Sequence, residues 1–177
     1  MWNKRTRGVL AAAAAAMLTL AVAGPASAAD TAATVTVTGG ALSITVPANA
    51  GNIGSIVNTV LGGTISGPLG QVQVNDARSA AAGSGWVATV ISTAFTPLVG
   101  ATIGAASDGY TAGPITKVGT ATFTANDPAN LTGVVAAVTA TGITGDNSAT
   151  WDPTINVAVA GGTAAGVYSG TITHSVS

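Results

Sequence analysis

Side chains able to do chemistry are few in this chain. There is one histidine, His174, and there is no cysteine or glutamate. The acids are six aspartates, Asp30, Asp76, Asp108, Asp127, Asp146 and Asp152. A Ser–His–Asp arrangement exists on inventory alone, but no G-x-S-x-G elbow accompanies it. His174 shares its parity with Tyr168, Ile172 and Val176 along an alternating run, where a structural or rim histidine is expected. A hydrolase built on His174 is the catalytic alternative. Zinc would need three or four His, Cys or acid ligands, which the chain cannot supply in one cluster. Asn126-Asp127 with Asn130, and Asp146-Asn147 with Asp152, offer oxygen ligands for calcium, yet neither matches an EF-hand loop. Both are also ordinary turn sequences, because Asx side chains bond their own backbone. Gly51-Asn52-Ile53-Gly54 lacks the lysine of a phosphate loop. Glycoside hydrolysis needs two selected carboxyl groups, and nothing selects two of these six. The expectation is therefore no catalysis, no metal and no cofactor.

Four residues stand out as candidates for binding. Asp76 and Arg78 follow Val72 and Val74 at the same parity, so both should point inward at the end of a strand. A charge left alone there would be costly, so an Asp76–Arg78 ion pair that fixes a loop is expected, with a ligand-binding role as the alternative. Trp86 opens an alternating strand, and Trp151 precedes Asp152-Pro153. Core packing is the expected use of both, and an exposed platform for a sugar or partner is the alternative.

The elements that must position these residues are strands. Thr, Ala, Gly, Val, Ser and Ile dominate, and β-branched side chains suit a pleated sheet. Apolar residues recur with period two at Val35 and Val37, at Leu42, Ile44 and Val46, and at Val72 and Val74. The pattern continues at Trp86, Ala88 and Val90, at Ala121 and Phe123, and at Val134, Ala136 and Val138. It ends at Ile155, Val157 and Val159, and at Tyr168, Ile172 and Val176. Gly39-Gly40 can supply a hairpin between the first two runs. Such spacing is the pattern of an antiparallel β-sandwich or barrel, and the fold expected is a single antiparallel immunoglobulin-like β-sandwich of about eight short strands. Ile53, Ile56, Val57, Val60 and Leu61 fall at helical spacing, but the glycines around them predict a loop with at most one turn. The Gly/Ala/Ser-rich stretch 96–113 reads as the longest loop.

The beginning of the chain indicates a compartment. Lys4, Arg5 and Arg7 precede an apolar run from Val9 to Ala23, followed by Gly24-Pro25 and Ala26-Ser27-Ala28. That is the layout of a secretory signal peptide, a cleaved helix over 1–28, with the sandwich domain in 29–177. The run is too short for a stable membrane span, and no second one occurs. Past residue 28, Arg78 and Lys117 face six aspartates, a net charge of −4. Nucleic acid and anionic lipid, which need clustered Lys and Arg, are poor partners. Without a cysteine after the expected cut a lipid anchor is not expected, nor, without a sorting motif and apolar tail, is covalent wall attachment.

The run Leu69-Gly70-Gln71-Val72-Gln73-Val74-Asn75-Asp76-Ala77-Arg78, followed by Gly85-Trp86-Val87-Ala88-Thr89-Val90, resembles WxL-domain surface proteins of Gram-positive bacteria. Trp151-Asp152-Pro153-Thr154 and the ending Ala165-Gly166-Val167-Tyr168-Ser169-Gly170-Thr171-Ile172-Thr173-His174-Ser175-Val176 resemble their secreted actinobacterial relatives. Where that family has Trp-x-Leu, this chain has Trp86-Val87-Ala88 and Trp151-Asp152-Pro153. The resemblance implies a secreted, β-rich module held non-covalently to peptidoglycan, often in complex with other surface proteins. The partners expected are thus cell-wall polysaccharide or a second surface protein. Self-association into a surface layer or matrix is the alternative, because a single lysine guards the sheet edges of 29–177.

Overall fold

A computed structural model describes residues 31–177, so the signal segment lies outside the described residues. Thr36–Ser177 form one compact unit, and Thr31–Val35 belong to another. The fold is all-β and antiparallel, a sandwich of two main sheets.

The larger sheet is built around two long strands, β3 (Val72–Ser92) and β7 (Val135–Trp151). The outer strand β6 (Ile115–Ala125) pairs with β7. Along the far edge of β3 lie β1 (Leu42–Thr45) and β10 (Ile172–Val176). β1 pairs with Gln73–Asp76 and β10 with Ala88–Ser92. The smaller sheet runs β2 (Gly63–Pro68), β8 (Thr154–Val159), β5 (Asp108–Thr111). A two-residue ladder joins β4 (Thr96–Pro97) to β9 (Tyr168–Ser169).

The alternation read from the sequence fills the core. Val72, Val74, Trp86, Ala88 and Val90 of β3 and Ile155, Val157 and Val159 of β8 all face inward. In β7 the phase differs from expectation. Val134 is exposed and precedes the strand, while Ala137 and Val138 are both buried. The register slips between Ala88 and Thr89, which turns two successive β7 residues inward, as a bulge does. Tyr168 to Val176 is not one strand either: it divides at Gly170, which packs closely on the Phe95 ring, into β9 and β10.

Three further expectations are corrected. The runs beginning at Val72 and at Trp86 are one strand, whose register with β7 shifts three times between Asp76 and Trp86; this bulged excursion over Ala77–Gly85 stays paired at Ala80 and Ser84. Asp76 and Arg78 thus stand in mid-strand, not at its end. Residues 31–41 carry no strand, so Gly39-Gly40 makes no hairpin; the Gly40 amide donates instead to the Ala77 carbonyl. The stretch 96–113 contains β4, a 3-10 turn over Ala105–Ser107, and β5. Asp108-Gly109-Tyr110-Thr111 alternates buried and exposed over only four residues, too short to stand out from its Gly-rich surroundings.

Candidate functional site

Two polar nodes and one apolar cleft contain most of the molecule's distinctive chemistry. The first node closes the base of the β3 excursion. Asp76 is fully buried. Its Oδ1 accepts from Arg78 Nε at 2.8 Å and from the Arg78 backbone N–H at 3.1 Å. Its Oδ2 accepts from Arg78 Nη2 and from Asn147 Nδ2, both at 3.0 Å. Arg78 Nη2 also donates to the Gly85 carbonyl at 3.0 Å, spanning the excursion. Trp86 Nε1 donates to Asn147 Oδ1 at 2.9 Å. Four charge-assisted bonds hold the Asp76 carboxyl at about 2, with the Arg78 side chain the largest cause. Its partner Arg78 is raised in turn, chiefly by Asp76. Trp86 sits in register with Ala140, which is in register with Phe123. The small residue between them lets the two rings meet at 5.6 Å.

The second node lies between the layers. Trp151 Nε1 on β7 donates to the hydroxyl of Tyr110 on β5 at 2.8 Å. His174 Nε2 on β10 is 3.2 Å from the same hydroxyl. With Trp151 donating, the hydroxyl proton is best placed toward His174, which then accepts on Nε2 and keeps its own proton on Nδ1. Burial keeps this imidazole neutral, with its pKa lowered to about 4. Burial also raises Tyr110, and the bond from Trp151 offsets part of that. Both nodes tie elements together: the first joins β3 to β7, and the second joins β5, β7 and β10, with His174 at the edge of the cleft described next.

The cleft opens between the two sheets. It has a volume of about 1160 Å³ and is floored by Leu69, Val72, Val157, Val159, Ile172 and His174. One wall is the strap 46–60, the other is 162–170. Glycines in β2 make room for the strap: a Cβ at Gly63 would meet Ile56, and one at Gly67 would meet the Ile53 carbonyl. Asn58 Nδ2 anchors it to the Thr163 carbonyl at 2.9 Å. None of the lining residues is Asp, Glu, Lys or Arg. Around this end Val57, Val60, Leu61, Leu98, Val99 and Val167 are 83% to 99% exposed. Leu98 and Val99 lead into Gly100, where an added Cβ would lie 3.7 Å from Ala164 on the cleft wall.

The four sequence candidates do not converge on that cleft. Trp86, Trp151 and Asp76 are buried, and only Arg78 of the four reaches solvent. The oxygen-rich turns spend their carboxylates on backbone: Asp127 Oδ1 accepts from the Ala112 N–H at 2.8 Å and Asp146 Oδ1 from the Ser79 N–H at 2.8 Å. Among the described residues no group of three His, Asp or Glu is placed to hold a metal. Asp108 is the exception to this economy. It is buried, its carboxyl oxygens have no hydrogen-bond partner, and burial raises its pKa. The neighbouring Ser92 hydroxyl lowers it only in part, and donates to the Thr93 carbonyl at 2.8 Å. Sequence reasoning missed Tyr110, Asp108 and the apolar rim. The rim's signal was aliphatic residues inside segments already assigned to loops.

No family model, curated protein or solved structure matches this chain.

Proposed function

We propose that this chain is a secreted, non-catalytic cell-surface module that associates non-covalently with peptidoglycan or with a neighbouring surface protein. One observation carries the reading: a large cleft without a charged lining residue, ringed by exposed aliphatic side chains. Such a surface recognises neutral partners by apolar contact and backbone hydrogen bonds. The signal-like opening and the resemblance to WxL-domain proteins support the same assignment. Because Trp86 is buried, its contribution is to hold the β3 excursion in place. The test is sedimentation with purified peptidoglycan across pH and salt, alongside fractionation of a producing culture into medium, wall and membrane. Retention with the wall that drops in a Leu61→Asp variant is expected. Protein left wholly in the supernatant under every condition would refute wall binding.

The same rim favours a second reading, self-association into a surface layer or matrix. Exposed aliphatic residues on a molecule with so few charges lack the electrostatic repulsion that keeps most surfaces apart.

A further inference from the structure

The segment Thr31–Thr38 and the cleft are complementary. Thr31-Ala32-Ala33-Thr34-Val35-Thr36-Val37-Thr38 is uncharged and carries period-two alternation. It forms no strand, and Val35 and Val37 are 91% and 81% exposed. Extended, it spans roughly 26 Å, about the length of an ordinary strand or a little more. The cleft is uncharged as well, and its strap has unused backbone. From Pro47 to Asn58 no backbone–backbone hydrogen bond forms among the described residues. Only the Gly51 and Gly54 amides are met locally, by the side chains of Asn49 and Asn52. Backbone polar groups beside a cavity are satisfied by a peptide and not by a lipid chain.

We propose that the Thr31–Thr38 segment of one copy of this chain docks as an extended strand in the apolar cleft of a second copy. Val35 and Val37 face the floor formed by Val72, Val157 and Ile172, and the alternating Thr34, Thr36 and Thr38 face the strap. The proposal deepens the self-association reading and rests on it. Its geometry is head to tail. The segment enters β1 beside Leu42, opposite Asp76, whereas the cleft begins at Val46, past the Gln73 end of the same strand. Donor and acceptor surfaces at different places on the molecule give a heterologous contact, which can add further copies one after another.

Two variants separate the donor from the acceptor. Val35→Asp/Val37→Asp spoils the segment, and Val57→Asp spoils the cleft wall. All three positions are exposed, so folding is preserved and far-ultraviolet circular dichroism verifies it. In sedimentation velocity the unaltered chain should form species that lengthen with concentration, and each variant alone should associate at least about tenfold more weakly. Mixed, the two variants should recover one-to-one pairs, because each still carries the half that the other lacks. A synthetic peptide of residues 31–38 should bind the segment variant and not the cleft variant. Failure of the mixture to pair, with association lost only in Val57→Asp, would overturn the proposal and leave rim-to-rim self-association standing. A monomer at every concentration would overturn both. Binding of a long-chain fatty acid in the cleft, with no binding of the peptide, would assign the cleft to lipid and also overturn the proposal. Peptidoglycan sedimentation of the segment variant keeps wall association separate, since that reading predicts no change there.

Discussion

Arg78→Ala is the substitution whose cost can be worked out most fully. It removes two bonds to a fully buried carboxylate and the donor of the Gly85 carbonyl. The Arg78 backbone N–H and Asn147 still reach Asp76, so the carboxylate is weakened in its support rather than orphaned. Removing one partner of a buried pair costs about 3–5 kcal/mol, and the 35% exposure of the Arg78 side chain argues for the lower end, about 3 kcal/mol. The effect depends on pH with a definite sign. Asp76 titrates at about 2 in the folded chain against an ordinary 3.8, so it contributes roughly 2 kcal/mol of stability above pH 3.8. That contribution is lost as pH falls through 2. Arg78→Ala should therefore cost most at neutral pH and progressively less between about pH 4 and 2. Urea unfolding followed by tryptophan fluorescence measures this, and Trp86 reports from within the node through its bond to Asn147. Asp76→Asn/Arg78→Met should recover part of the loss, since no charge is then left buried alone. A cost below about 0.5 kcal/mol at neutral pH, or one that does not change toward pH 2, would refute a structural role for the pair.

Other consequences can be measured independently. Because burial lowers His174 to about 4, unfolded chains take up its proton first, and stability should fall from pH 6.5 to 4 by at most about 3 kcal/mol. An imidazole NMR titration with its midpoint near 6.5 would refute that placement. Asp108→Asn should raise the melting temperature at neutral pH and change it little in acid, because it removes the ionisation that burial opposes. Gly67→Ala should push the strap off β2, since the new methyl group would occupy the place of the Ile53 carbonyl. Faster limited proteolysis within 46–60 is the expected readout, and unchanged protection would show that the strap can shift without opening.

Much of the sandwich is legible in the sequence because a half-buried strand needs period-two alternation, and both ends of β3, the second half of β6 and all of β8 keep it. The Asp76–Arg78 pair was legible for a related reason: in a chain with two basic residues past the signal-like segment, one carboxylate and one guanidinium at matching parity have few other partners. The excursion between them was not. Register shifts depend on what β7 does opposite, where Gly142 and Gly145 adopt positive φ, and one strand's pattern does not contain its partner's kinks. The β7 phase was misread for the same reason. The cleft was harder still. Its strap has no periodic pattern, and its shape is set by the missing side chains of Gly63 and Gly67 in another element. Tyr110 lay hidden in a strand of four residues, although its hydroxyl joins the two sheets.

The bulged part of β3 has a practical consequence. Its foot is clamped by Asp76, Arg78, Asn147 and the Gly85 carbonyl, while Ala81, Ala82 and Gly83 at its crest stand free in solvent. Gly83 has open space around it but a φ of +88°, which favours keeping a glycine there, so Ala81 and Ala82 are the positions open to change. Lengthening a closed loop costs little once its ends are fastened. The crest is thus a natural graft point, where foreign peptide can be displayed or natural sequence can drift while the layers beneath keep their shape.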